Sequence, residues 1–138
     1  MRLNKIDHIG IAVKDIKEAS KFYKDVFGCK ISEETEVPDR KLRIAFTDIS
    51  GVELEFLMAT DKESTIAKFI DKRGEGIHHI CFEVDDVDKA AEELEGESVE
   101  LVDKPRIGAG GTKIVFLQPK STHGVLIELK GKQSISGI

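Results

Sequence analysis

The sequence predicts an α+β fold of two tandem βαβββ modules, forming a cupped mixed sheet with helices outside. Three observations predict it. The stretch "IDHIGIAVKDIKEA" at residues 6–19 returns 71 positions later as "IHHICFEVDDVDKA" at residues 77–90, with six identities in fourteen positions. Each copy opens with strand-like alternation and changes to helical spacing. Each is followed by three further stretches of strand character. A period this long, present only twice, marks fused modules rather than a solenoid.

In the first copy, Ile9, Ile11 and Val13 point one way and His8, Gly10 and Ala12 the other. Asp15 followed by Glu18 resembles a capping box, and Ile16, Ala19, Phe22, Tyr23 and Val26 form an apolar stripe that Gly28 stops. "CKISEE", "KLRIAFTD" and "VELEFLMA" are the strands that follow, with "DISG" as a turn. "ESTIAKFIDKRG" predicts a linking helix whose buried face is Ile66, Phe69 and Ile70. In the second copy, Ile80, Phe82 and Val84 oppose His79, Cys81 and Glu83. Asp86 opens a helix with Val87, Ala90, Ala91 and Leu94, ending before Gly96. "SVELVDK", "TKIVFLQP" and "GVLIELK" complete the module, with "GAGG" as a loop. Residues 1–138 therefore form one domain, from modules at about 5–60 and about 76–131 joined by a helix at about 63–73.

Composition narrows the class. The apolar share of 40% is that of a globular protein, and the length suffices for a real core. The net charge of -5 argues against nucleic acid as the main partner. "MRLNKIDHIG" has no apolar signal region, and no apolar run is long enough to cross a membrane. Cys29 and Cys81 make no disulfide framework. A cytoplasmic enzyme or binding protein is the expected class.

The final strands of the modules correspond as well, with Glu55 of "VELEFL" matching Glu128 of "VLIEL" at a shift of 73. If the apolar faces lie under the helices, the other faces line a hollow holding two His and two Glu. A single strand histidine is usually a hydrogen-bonded core residue, and a single strand glutamate is usually solvated. Packing symmetry, however, does not require the same carboxylate twice. Two imidazoles and two carboxylates in a hollow need a compensating cation. The set His8, Glu55, His79 and Glu128 suits a six-coordinate divalent ion such as Co, Mn, Ni or Zn, with two positions open. A structural zinc site would be closed and richer in Cys. His78 has the opposite parity and His123 lies in a turn, so neither is a ligand candidate. Cys81 shares a face with His79 and reads as a small buried thiol. Arg43 and Lys113 fall on the expected cavity faces, where they could hold a carboxylate or phosphate or simply snorkel at the rim. The "GAGG" amides offer a similar anion contact, or only a glycine turn.

These residues resemble the vicinal oxygen chelate superfamily, which builds a cupped metal site from paired βαβββ modules. Within it the ordered stretches "DHIGIAV", "ESTIAKFI", "GEGIHHICFEVDD", "KPRIGAGGTKIVFLQPK" and "GVLIEL" resemble the methylmalonyl-CoA epimerase family, from Ile6 to Leu129. The resemblance implies metal ligands at His8, Glu55, His79 and Glu128. Some family members carry Gln at the second of these. It implies an isomerase that interconverts the (R) and (S) forms of an acyl-CoA thioester by 1,1-proton transfer through a metal-stabilised enolate. It also implies Glu128 as a proton-transfer group and a homodimer. The second acid–base group is not carried over. Where some epimerases have Glu, this chain has Arg43, which is no base at neutral pH. Glu53 or a bound water is the fallback. Three alternatives share the fold. Glyoxalase I uses the same ligands on a glutathione adduct. Extradiol dioxygenases typically keep two His and one Glu, and drug-sequestering proteins usually lack the ligands.

Overall fold

The computed structural model describes residues 1–132. The chain forms two compact units: one from His8 to His78, the other from His79 onward together with Met1–Asp7. In chain order the elements run β, α, β, β, β twice, with one additional helix between.

In the first unit, the residues of β1 (Lys5–Ala12) from His8 onward lead to α1 (Ile16–Phe27). Asp15 caps α1 by accepting from the Lys17 N–H at 2.8 Å. Gly28 ends it in the left-handed region at φ 68°, where a Cβ would be strained. β2 (Thr35–Val37), β3 (Leu42–Ile49) and β4 (Val52–Ala59) follow, then α2 (Thr65–Arg73). The strands lie in the order β2-β3-β4-β1. β4 is antiparallel to β3 and parallel to β1. The β3–β4 turn places Ser50 and Gly51 at φ 50° and 93°, two successive positive values that suit the right-handed twist of a tight hairpin.

Both faces of this sheet are covered in part. Phe56, Ala45 and Val13 pack with Ile16, Ala19 and Tyr23 of α1. On the opposite face, Ala12, Leu42 and Leu57 pack with Ile66, Phe69 and Ile70 of α2. The expected apolar face of α2 is thus the one that is buried. The expected stripe of α1 is narrower than its sequence: Phe22 and Val26 are 52% and 59% exposed. Positions six and ten residues after Ile16 have rotated off the buried face.

In the second unit, β5 (Gly76–Val84, here from His79) leads to α3 (Val87–Gly96), β6 (Arg106–Ile107), β7 (Lys113–Leu117) and β8 (Ile127–Gly131). The order is β5-β8-β7-β6, with β5 parallel to β8 and β7 antiparallel to it. Val84, Val115, Leu117 and Leu129 pack under Val87 and Ala90 of α3. Asp86 caps α3 through the Lys89 N–H at 3.1 Å. Gly96 is the last helical residue rather than the stop, and the left-handed residue is Ser98, at φ 64°.

Two expected strands are absent. Residues 29–34 ("CKISEE") form no strand and are tied to β3 by the bonds between Ser32 and Phe46 and by the Glu34–Arg43 pair; β2 begins at Thr35. "SVELVDK" contributes a single bridge, Leu101 to Leu117. Pro105 lacks the N–H that a continuing ladder needs, and pairing with β7 resumes at Arg106. The "GAGG" loop joins β6 to β7. The N–H groups of Gly108 and Gly111 donate to the Thr112 and Gly108 carbonyls, so these two amides close the turn instead of facing an anion.

Candidate functional site

The strand register builds the first half of the site row by row. β1, β4 and β3 align His8 with Glu53 and Asp48, then Gly10 with Glu55 and Phe46, then Ala12 with Leu57 and Ile44. Paired residues share a face, so these three rows lie on one side of the sheet. The last row is the core under α2. The first two rows belong to none of the core clusters among the described residues. Here His8 Nε2 lies 3.9 Å from Glu55 Oε1. Glu53 is on this face too, beside His8 in the register.

The second unit repeats the arrangement. β5, β8 and β7 align Cys81 with Glu128 and Phe116, and Glu83 with Lys130 and Ile114. His79 Nε2 lies 3.1 Å from Glu128 Oε1. His79 and Glu128 are only 5% and 6% exposed. The Phe116 ring meets the His79 ring edge-on at 5.7 Å between centroids. Cys81 is fully buried and Lys130 pairs with Asp7 at 3.3 Å. His78 packs against Phe69 at 5.0 Å, and His123 sits in a turn at φ 61°.

Each unit therefore holds one imidazole against one carboxylate. Donors sharing one ion at metal–ligand distances of about 2.0–2.2 Å are themselves about 3 Å apart. The buried His79–Glu128 pair has that separation, and the His8–Glu55 pair is looser. Nitrogen and carboxylate donors of this kind fit a divalent cation of borderline softness. Two carboxylates and two imidazoles placed off the solvent are the kind of donor set that a bound cation would compensate.

Two expected site residues face away. Arg43 pairs with Met58, on the face of Ala45 and Phe56 that α1 covers, opposite to Glu55. Its guanidinium is held by Glu34 at 3.2 Å and Glu36 at 3.3 Å. The hydrogen bonds it donates to those two carboxylates raise its pKa above the usual arginine value. Lys113 shares the face of Val115 and Leu117 and reaches Asp88 of α3 at 2.6 Å. The expectation that both line the cavity is corrected: a period of two places each on the helix side of its strand once the pairing partners are known. The residues that do occupy those strands on the ligand faces are Phe46 and Phe116. Their signal was present in the sequence, as one Phe in each of two equivalent strands.

A family model described as the Glyoxalase/Bleomycin resistance protein/Dioxygenase superfamily matches residues 7–116, and the chain belongs to that superfamily. The twice-repeated β, α, β, β, β order with a linking helix, seen among the described residues, is the fold of that superfamily. The methylmalonyl-CoA epimerase family is the branch to which the chain belongs. It is 39% identical to the mitochondrial methylmalonyl-CoA epimerase of Dictyostelium discoideum, covering 94% of this chain and 80% of that one. It is 32% identical to the ethylmalonyl-CoA/methylmalonyl-CoA epimerase of Cereibacter sphaeroides, over 93% and 98%. A solved structure of a Streptomyces coelicolor methylmalonyl-CoA epimerase variant in complex with 2-nitronate-propionyl-CoA matches with a TM-score of 0.86 and 36% identity, over 96% and 100%. Lactoylglutathione lyases also match, at 29% identity and below.

Proposed function

We propose that this protein is a divalent-metal-dependent isomerase that interconverts the (R) and (S) forms of methylmalonyl-CoA. The observation that carries the proposal is the repeated His–Glu pair, intact in both units of a chain belonging to the epimerase family. His8 and Glu55 of one unit, and His79 and Glu128 of the other, are the residues that would hold the ion. When bound, the ion supplies a Lewis acid for the charge that develops on the thioester oxygen as the proton leaves. Co, Mn, Ni and Zn all suit the donor set.

The chain's own residues move the proton. Glu128 is the base: its carboxylate is held in a buried position 3.1 Å from His79, at the site itself. Inversion requires a second group on the opposite side of the planar carbon. Glu53, on the Glu55 face by register, or a bound water is the candidate for that group. The T-shaped contact of the Phe116 and His79 rings supports the imidazole from one side. The protein works in the cytoplasm as a homodimer. No helix among the described residues is long and apolar enough to cross a membrane.

The test is solvent exchange. The metal-loaded protein in deuterated water should place deuterium on the carbon between the thioester and carboxylate of methylmalonyl-CoA. If it exchanges nothing there but isomerises the hemithioacetal of glutathione, glyoxalase I is the activity instead.

A further inference from the structure

On the Glu55 face of the first unit, the half not covered by α2 carries His8, Gly10, Glu53, Glu55, Asp48 and one large apolar side chain, Phe46. Phe46 is 39% exposed and lies in none of the core clusters. Its backbone is nevertheless fixed. Its N–H donates to Ser32 Oγ at 2.9 Å, and its carbonyl accepts the Ser32 N–H at 2.8 Å. Both bonds point away from β4, so Phe46 and Glu55 form a non-hydrogen-bonded pair. Such pairs bring their Cα atoms to about 4.5 Å and their side chains closest together. On the other side of Glu55, Gly10 adds no side chain. The ring is thus held beside a carboxylate, at a position where no protein core needs it.

The equivalent residue of the second unit has a different environment. Phe116 pairs with Glu128 in the same manner, its carbonyl also accepting from outside the β7–β8 pair, but its ring rests on His79. The repeat has therefore left one aromatic ring for packing and one exposed.

The substrate supplies what the exposed ring lacks. The reacting carbon of a 2-alkylmalonyl thioester bears a proton, two oxygen-bearing groups and one alkyl branch. The proton faces a base and the oxygens face polar groups. Only the branch gains from an apolar surface. We infer that Phe46 contacts the alkyl branch and sets the largest one that fits, so that this ring determines selectivity among 2-alkylmalonyl-CoA substrates. The inference rests on the epimerase function proposed above.

The experiment compares kcat/KM and the dissociation constant by isothermal titration for methylmalonyl-CoA and ethylmalonyl-CoA. The wild type, Phe46→Ala, Phe46→Leu and Phe46→Trp are each used as metal-loaded full chains with circular dichroism as the check on folding. One methylene in an apolar pocket is worth about 10- to 200-fold in discrimination. Phe46→Ala should raise the ethyl-to-methyl ratio by about tenfold or more, Phe46→Leu by less, and Phe46→Trp should lower it. The binding ratios should move in the same directions. An equal loss on both substrates, or ratios unchanged in Phe46→Leu and Phe46→Trp, overturns the role of Phe46 while leaving the epimerase standing. A wild type that turns over neither acyl-CoA overturns both.

Discussion

Glu128 and Arg43 illustrate how much one residue's position in the register decides. Glu128 sits 3.1 Å from His79 and is almost wholly buried, so it serves as both ligand and base in the proposed reaction. Glu128→Gln keeps an oxygen for the metal but removes the basic carboxylate. Metal content by elemental analysis should largely survive, while deuterium exchange falls by about 10²- to 10⁴-fold. Retained exchange with metal bound would move the base to Glu53 or a water. His79→Ala should reduce metal affinity and activity together. Arg43 is held by Glu34 and Glu36 on the face opposite to Glu55. Arg43→Ala should therefore leave KM for the acyl-CoA within about twofold of the wild type; a KM rise of tenfold would return Arg43 to the substrate site.

At the scale of the element, local chemistry determines where helices begin and strands stop. Asp15 and Asp86 each cap a helix with a side-chain oxygen. Asp15→Ala should cost about 1 kcal/mol in urea unfolding, with an unchanged slope. Ser50 occupies a left-handed position at φ 50° in the β3–β4 turn, where Asn is better tolerated. Ser50→Asn should raise the melting temperature by a degree or more, and a lower value would contradict the positive-φ assignment. Helix caps were legible because they depend on neighbours two or three residues away. The missing strands were not. "CKISEE" and "SVELVDK" have strand-like composition, but pairing depends on a partner, and each meets its neighbour through only isolated bonds.

For the whole molecule, the proposed metal site predicts that stability depends on the ion. In the proposed function His8, Glu55, His79 and Glu128 would hold a divalent ion, and such an ion would bind the native state alone. At 100 times its dissociation constant it should add about 2.7 kcal/mol. Treatment with a chelator should lower the melting temperature by several degrees, and restoring Co²⁺ or Zn²⁺ should recover it. The same treatment of a Glu55→Ala, His79→Ala double variant should have little effect. An equal shift in the double variant would mean that the ion binds elsewhere.

The repeat, the element order and the four candidate ligands were all written in the chain, because they depend on periodicity and on the same residues recurring at matched positions. A strand's period of two states which residues share a face, and it does so for His8 with Gly10 and for Glu53 with Glu55 without any partner. It does not state which face of one strand adjoins which face of the next. That required the pairing of Arg43 with Met58 and of Phe116 with Glu128, contacts between residues distant in sequence. A slip of one position would have turned Arg43 onto the ligand face and Phe46 off it, which is why the two rings of the ligand faces emerged only when the strands were paired.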